Sequence, residues 1–331
     1  MSMARRVRPL RASPKVWNYA KYRALPRRAV TSCARTSPQI ASLLLTKRCN
    51  MRCSFCNAAS FIHDKSTSWQ SLEADLAKVR RIFANPLFSR ALLVDLLGGE
   101  PLLVKELGPI VAFLSRNGHL TNMATNGVLL ADRIAELKQA GISRISVSVY
   151  EDNRDLLERD LPAINRVFPV QTSMVLFRSE VERTPESIVE TARFLRRTGC
   201  LGLRFWIYRP IGENPDPGEI LSEDDPALLA LRAQADEAVP GFCFWPVPLK
   251  QGPVPKLCPQ LWQRVGCDMS GNLGICCGTE ELLPGGNLFE SEPDVVFNHP
   301  ILVTMRGQLL DPHADPPLIC RSCNLLGDPG W

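Results

Sequence analysis

The chain has no run of about 18 consecutive apolar residues, the length a membrane-spanning helix requires, so no segment is expected to cross a bilayer. It shows no internal repeat of fixed period. It has no acidic residue before Asp64, although residues 1–48 carry twelve Lys or Arg, and the remainder is therefore acidic despite a formal net charge of +5. A basic, acid-free N-terminus is compatible with a transit peptide or a nucleic-acid patch. Trp17, Tyr19 and Tyr22 within residues 16–25 favour a packed helix instead, in a basic extension spanning 1–39, and no nucleic-acid partner is expected. The twelve cysteines are clustered, not spread as in a secreted disulfide framework. That pattern favours metal ligation in a reducing compartment, and hence a cytoplasmic location.

What is present is ordinary globular material, 45% hydrophobic and 22% charged over 331 residues, enough for one large domain and a smaller one. Apolar runs at Ile40–Thr46, Leu92–Leu97, Leu120–Thr125, Ile142–Tyr150, Val170–Phe177 and Leu201–Tyr208 alternate with amphipathic patterns. The latter fall at Trp69–Ala84, Val104–Asn117, Leu129–Ala140, Arg154–Val167 and Pro185–Thr198. Short apolar runs separated by helical periods read as βα units on a parallel sheet. The expectation is an α/β fold with a partial (β/α)6 TIM-like barrel over residues 40–210. In such a barrel, chemistry sits on the loops after the strands. Residues 211–250 read as a linker region, with a short helix near Asp225–Ala238. Prolines 240, 246, 248, 253, 255 and 259 then oppose long elements, so residues 251–331 should form a small Cys-rich domain built on loops and a β-hairpin.

The first strand run leads into Cys49-Asn-Met-Arg-Cys53-Ser-Phe-Cys56, a C-x3-C-x2-C loop with no fourth cysteine nearby. A [4Fe–4S] cluster takes four thiolates, so three leave one iron open to a substrate or cofactor. A zinc knuckle would need a fourth ligand, for which His63 is the nearby candidate. The loop resembles the signature of the radical S-adenosylmethionine (SAM) superfamily. The resemblance implies that Cys49, Cys53 and Cys56 hold a [4Fe–4S] cluster whose open iron binds SAM, reduced by a flavodoxin- or ferredoxin-like donor. It extends to the ends of later strands. Gly98-Gly99-Glu100-Pro101 matches the segment that meets the SAM amino group. Asn126 lies in a matching Thr-Asn-Gly, Ser148 matches a serine that meets ribose or carboxylate, and Phe55 matches the aromatic near adenine. Many relatives have an aspartate where this chain has Tyr150, a candidate substrate contact.

Cys258-x3-Trp262, Cys267, Cys276-Cys277 and Cys320-x2-Cys323 form a second set. Residues 265–268 and 273–276 flank Met269-Ser-Gly-Asn272 and read as a hairpin. With Gly286-Asn-Leu288 and Met305-Arg306, the set resembles the SPASM, or shortened "twitch", auxiliary-cluster domain. That resemblance implies one auxiliary [4Fe–4S] cluster on Cys258, Cys276, Cys320 and Cys323, with Cys277 as an alternative to Cys276. A zinc ribbon is the competing reading of four thiolates. Cys33, Cys200 and Cys243 read as ordinary buried cysteines.

A cluster fully ligated by protein is suited to electron transfer. The expectation is therefore dehydrogenation of a small polar molecule such as a sugar, aminocyclitol or aminoglycoside, with Arg204, Trp206 and Tyr208 as candidate pocket residues. Epimerisation with Cys267 as hydrogen donor, maturation of a ribosomally made peptide, and a non-catalytic electron carrier are the alternatives.

Overall fold

The computed structural model describes residues 14–24, 30–56, 58–210, 215–222, 224–245, 258–277, 279–321, 323 and 326. Its centre is a parallel sheet of β1 (Ile40–Leu44), β2 (Leu93–Leu97), β3 (Leu120–Thr125), β4 (Arg144–Ser148), β5 (Gln171–Leu176) and β6 (Leu203–Ile207), in that spatial order. Each follows one of the six apolar runs, with crossover helices between. Alternate residues point to opposite faces of a strand. Thus Leu203, Phe205 and Ile207 of β6 are buried, and the intervening Arg204 and Trp206 face the barrel interior. The helices Leu107–Arg116, Leu130–Ala140, Arg154–Val167 and Pro185–Arg197 cover the outside. The expected helix over 69–84 is instead two, Trp69–Leu72 and Leu76–Phe83, because Asp75 accepts from the Lys78 amide and starts a fresh helix.

The sheet is longer than the barrel. Beyond β6 lies β7 (Cys243–Phe244), and on the other side β8 (Arg264–Asp268), β9 (Asn272–Cys276) and β10 (Thr279–Asn287) extend it to ten strands. β8 pairs in parallel with β1 from Ile40 against Arg264 to Leu44 against Asp268, and then turns antiparallel into β9. Cys267 and Cys276 are therefore carried by the same sheet as the strand that leads into the N-terminal loop. The stretch expected as a linker holds the helix Pro226–Ala238, which buries Leu228, Leu231 and Ala235, and β7, which pairs with β6. Residues 211–214 and 246–257 of that region lie outside the described residues. At the N-terminus the helix Pro14–Ala24 forms, but Trp17 is 65% exposed and Tyr19 37%. The helix is tied by polar contacts instead: Lys15 Nζ donates to Asn117 O at 2.6 Å and Asn18 Nδ2 to Pro38 O at 3.1 Å.

The C-terminal region is stapled by a buried cation. The Arg306 side chain is 0% exposed and donates to the carbonyls of Leu261 (2.7 Å) and Phe297 (2.9 Å) and to Asn298 Oδ1 (3.0 Å). Trp262, also buried, donates its indole N–H to Thr31 O at 2.8 Å. Among the described residues, no helix is long and apolar enough to cross a membrane.

His119 lies beneath β3, edge-on to Phe83, with Nδ1 2.9 Å from Ala91 O. Burial, aided by nearby Lys15, pushes it from 6.5 down to about 4. A histidine kept neutral in the fold takes up its proton first in the unfolded chain, so stability falls as pH drops from 6.5 towards 4. Urea unfolding at pH 7.5 and 5.5 should show a loss of about 1 kcal/mol from this residue, and His119→Phe should lack that increment.

Candidate active site

Just past the end of β1, the buried Thr46 and Lys47 lead the chain into the cysteine loop at the mouth of the barrel. Arg48 grips Glu73 from Nε (3.1 Å) and Nη2 (2.6 Å) and covers the Trp69 ring at 4.6 Å. Lys47 Nζ meets Asp64 Oδ2 at 2.9 Å. Anchored this way, the loop presents Cys49, Cys53 and Cys56, all partly exposed. Burial pushes the Cys53 thiol up to about 11, and the Cys56 and Cys49 sulfurs add to the shift. Ligand binding here must therefore release protons. Three thiols on one anchored loop fit a cluster with an open iron. Among the described residues, no three His, Cys, Asp or Glu converge as tightly as a single ion requires.

The Gly-Gly-Glu segment after β2 packs against this loop. Gly98 has φ +131°, and a Cβ on it would lie 2.7 Å from Thr46 O; one on Gly99 would lie 2.1 Å from Arg48 O. The backbones are joined by Gly99 N to Thr46 O and Glu100 N to Arg48 O, both 2.7 Å. Glu100 is buried. It accepts from Leu102 N (2.9 Å) and Thr125 Oγ1 (2.7 Å) at Oε1 and from Asn126 N (2.8 Å) at Oε2, thereby bracing the end of β3. Desolvation nevertheless raises its carboxyl above the ordinary value. Asn126 in turn donates from Nδ2 to Asn50 Oδ1 of the cysteine loop at 2.7 Å. The strand-end residues thus meet one another and the loop, as a shared cradle demands.

Phe55 packs on Tyr150 (5.3 Å between centroids) and Phe177 (5.1 Å). Tyr150 shares a hydrogen bond with the Ser148 side chain, and burial holds its phenol well above the usual range. Phe55, Ser148 and Tyr150 form one end of a cavity of about 420 Å³ inside the barrel; Cys277 and Cys323 line its other end. Arg204, Trp206 and Tyr208 also line it. Its floor holds polar residues that the sequence reading did not single out. Arg144 Nε donates to Asn122 Oδ1 (2.9 Å), Asn122 Nδ2 to Asp95 Oδ1 (2.8 Å), and Asp95 pairs with Arg264. The signal existed: a charged or amide residue at the middle of an apolar strand, as in Leu93-Val-Asp95-Leu-Leu97, asks for a buried partner.

Of the second cysteine set, burial pushes the Cys258 and Cys320 thiols up, the latter to about 11, and the nearby Cys277 and Cys323 sulfurs add to both shifts. Cys267 is buried on β8 and does not line the large cavity; it faces a void of about 60 Å³ together with Cys276. Cys33, read as buried, is exposed.

A parallel barrel with a three-cysteine loop at the mouth and a glycine-braced cradle on the next strand ends defines an iron–sulfur enzyme of the SAM-cleaving class. The comparisons agree. The model of the Radical SAM superfamily matches residues 43–202. GTP 3′,8-cyclase of Aquifex aeolicus is 30% identical over 227 residues, 63% of this chain and 67% of the relative. The Mycobacterium ulcerans GTP 3′,8-cyclase is 31% identical over 236 residues, 66% and 61% of the two chains. The chain thus spans about two thirds or less of the length of these relatives. Streptococcus suis SuiB bound to S-adenosylmethionine shares the fold with TM-score 0.64 at 14% identity, over 86% of this chain and 77% of that one. The chain belongs to the radical SAM superfamily, and its cofactors are SAM and a [4Fe–4S] cluster.

The expected dehydrogenation of a sugar, aminocyclitol or aminoglycoside is corrected by these relatives, which are named for cyclisation of GTP. The expectation rested on the electron-accepting second cluster, which does not read the shape or charge of a substrate.

Gly99→Ala should displace Arg48 and the cysteine loop, lowering the iron retained after anaerobic reconstitution by more than half. Gly307→Ala, in the helix Pro300–Leu310 with open space around it, should leave iron content unchanged and raise stability by up to about 1 kcal/mol.

Proposed function

We propose that the chain is a radical SAM enzyme acting on a phosphorylated small molecule of the nucleotide class, with GTP the first candidate, in the cavity between its two cysteine sets. The observation that carries this reading is the charge of that cavity: Arg144, Arg204, Arg209 and Arg264 line it against one carboxylate, Asp95, already paired with Arg264. Guanidinium groups offer planar, bidentate donors suited to phosphate. A neutral or cationic aminosugar has no use for three further cations. The names of the relatives support the same class.

Bound at the open iron and supplied with one electron, SAM provides a carbon radical able to take hydrogen from an unactivated C–H bond. The electron donor in this proposal is a flavodoxin- or ferredoxin-like protein. The chain's own task is positioning. Glu100 and Asn126 fix the cradle. Phe55, Tyr150 and Phe177 form an aromatic wall that keeps water from the radical. Arg204, which lies 5.6 Å from the Trp206 ring and 5.8 Å from the Phe244 ring, holds the anionic end of the substrate. Cys258, Cys320 and Cys323, with one of the Cys276-Cys277 pair, hold an auxiliary cluster at the opposite end of the cavity.

Anaerobic protein with dithionite and SAM should release 5′-deoxyadenosine, and GTP should accelerate that release where guanosine does not. Equal stimulation by guanosine would sink the phosphate reading; no 5′-deoxyadenosine under any condition would sink the enzyme. Arg204→Ala should raise the KM for the triphosphate about tenfold or more, the loss of one charge-assisted hydrogen bond of about 1.5–3 kcal/mol, while leaving the slow substrate-free cleavage of SAM unchanged.

A further inference from the structure

Cys276 is the last residue of β9 and Cys277 lies in the turn that follows, so the two side chains are directed by different backbone. Both border the 60 Å³ void shared with Cys267 and Leu282, and Cys276 does not line the larger cavity. Cys277, one residue on, reaches the wall of the 420 Å³ cavity that Cys323 also lines. Its sulfur approaches Gln260 Oε1 at 3.8 Å. That same oxygen accepts from Arg264 Nε at 3.0 Å. Arg264 is held from behind: Nη1 donates to Ser42 Oγ at 2.6 Å and pairs with Asp95, and only 11% of its side chain is exposed. A polar relay therefore runs from Arg144 on the cavity floor through Asn122, Asp95, Arg264 and Gln260 to the Cys277 sulfur.

We infer that Cys277, and not Cys276, closes the second cysteine set with Cys258, Cys320 and Cys323, and that the Arg264 guanidinium, held by Gln260 and Asp95, is the charge that tunes this thiolate. The inference rests on the auxiliary cluster proposed above and assigns it a ligand and a tuning charge. The sulfurs of Cys258, Cys320 and Cys323 each lie within electrostatic range of Cys277. Arg264 and Cys277 line both cavities together, which places the guanidinium beside this sulfur. A cation beside a cluster thiolate favours the reduced, more negative state and raises the potential, since net charge and hydrogen bonding at the sulfurs set it. A cluster so placed meets the substrate cavity through Cys277 and Cys323, on the wall opposite the SAM loop.

The test isolates the second set by working in full-length protein carrying Cys49→Ala, Cys53→Ala and Cys56→Ala, reconstituted anaerobically with iron and sulfide. About four iron per chain are expected. Adding Cys276→Ala should leave that iron and its electron paramagnetic resonance spectrum intact, whereas adding Cys277→Ala should abolish the four-iron signal. The opposite pattern, or retention of four iron in both variants, overturns the ligand assignment. If the triple variant itself takes up no iron while wild-type protein does, the auxiliary cluster fails before this assignment is reached. In the isolated cluster, Arg264→Gln should shift the midpoint potential to more negative values at unchanged iron content, with partial recovery in Arg264→Lys. Gln260→Leu, which leaves the Arg264–Asp95 pair in place, should alter the resonance spectrum and give a second reading where Arg264→Gln fails to fold. Potential and spectrum equal to those of the parent in these variants overturn the tuning role of Arg264.

Discussion

Gly99 N to Thr46 O and Glu100 N to Arg48 O, each 2.7 Å, hold the turn after β2 against the chain that enters the cysteine loop. The separation is that of a strand ladder, but it continues past the ends of both strands, where a side chain on Gly99 would occupy the space of Arg48 O. Everything at the barrel mouth depends on this approach. It lets Glu100 turn inward to gather Thr125 and the Asn126 amide, and Asn126 then returns to Asn50 in the loop. The glycines are usually read as making room for a ligand. Here they first make room for the protein's own backbone, and the ligand cradle follows from that.

The same logic places the second set of cysteines. β8 pairs with β1 residue for residue, so the hairpin that carries Cys276 and Cys277 is fastened to the strand that delivers Cys49. The polar floor between them is costly unless complete, because each buried charge or amide must find a partner. Asp95, Asn122, Arg144 and Arg264 satisfy one another across strands that are far apart in sequence.

Much of this was legible in the sequence, and for identifiable reasons. The six barrel strands are short apolar runs with a local period, and the cysteine loop and Gly-Gly-Glu-Pro are contiguous motifs whose chemistry is carried by spacing alone. The helix Arg154–Val167 could be read to the residue from its pattern. What could not be read was anything that depends on pairing at a distance. β10 carries Pro284, Gly285 and Gly286 and two register shifts, so it has no strand-like pattern and exists only because β9 is beside it. The parallel docking of β8 on β1 is equally silent in the sequence, and with it the fact that residues 264–287 extend the barrel sheet. The choice between Cys276 and Cys277 depends on how the turn after β9 directs Cys277 into the cavity, which no local pattern announces. The substrate class was misjudged because Arg144 and Arg264 lie on strands whose inward faces no local pattern distinguishes.

A sheet that runs without interruption from β10 to β7 has a kinetic meaning. Two domains joined by a hinge can close over a substrate as rigid bodies, and such closure often limits turnover. Here the loop of Cys49 and the hairpin of Cys277 grow from strands that are hydrogen-bonded neighbours, so their separation is fixed before any substrate arrives. Recognition must then be achieved by side chains and loops settling on a guest inside a rigid frame. Tightly fixed geometry favours a narrow set of substrates and a reaction whose tempo is set by chemistry and entry, not by the swing of one half against the other.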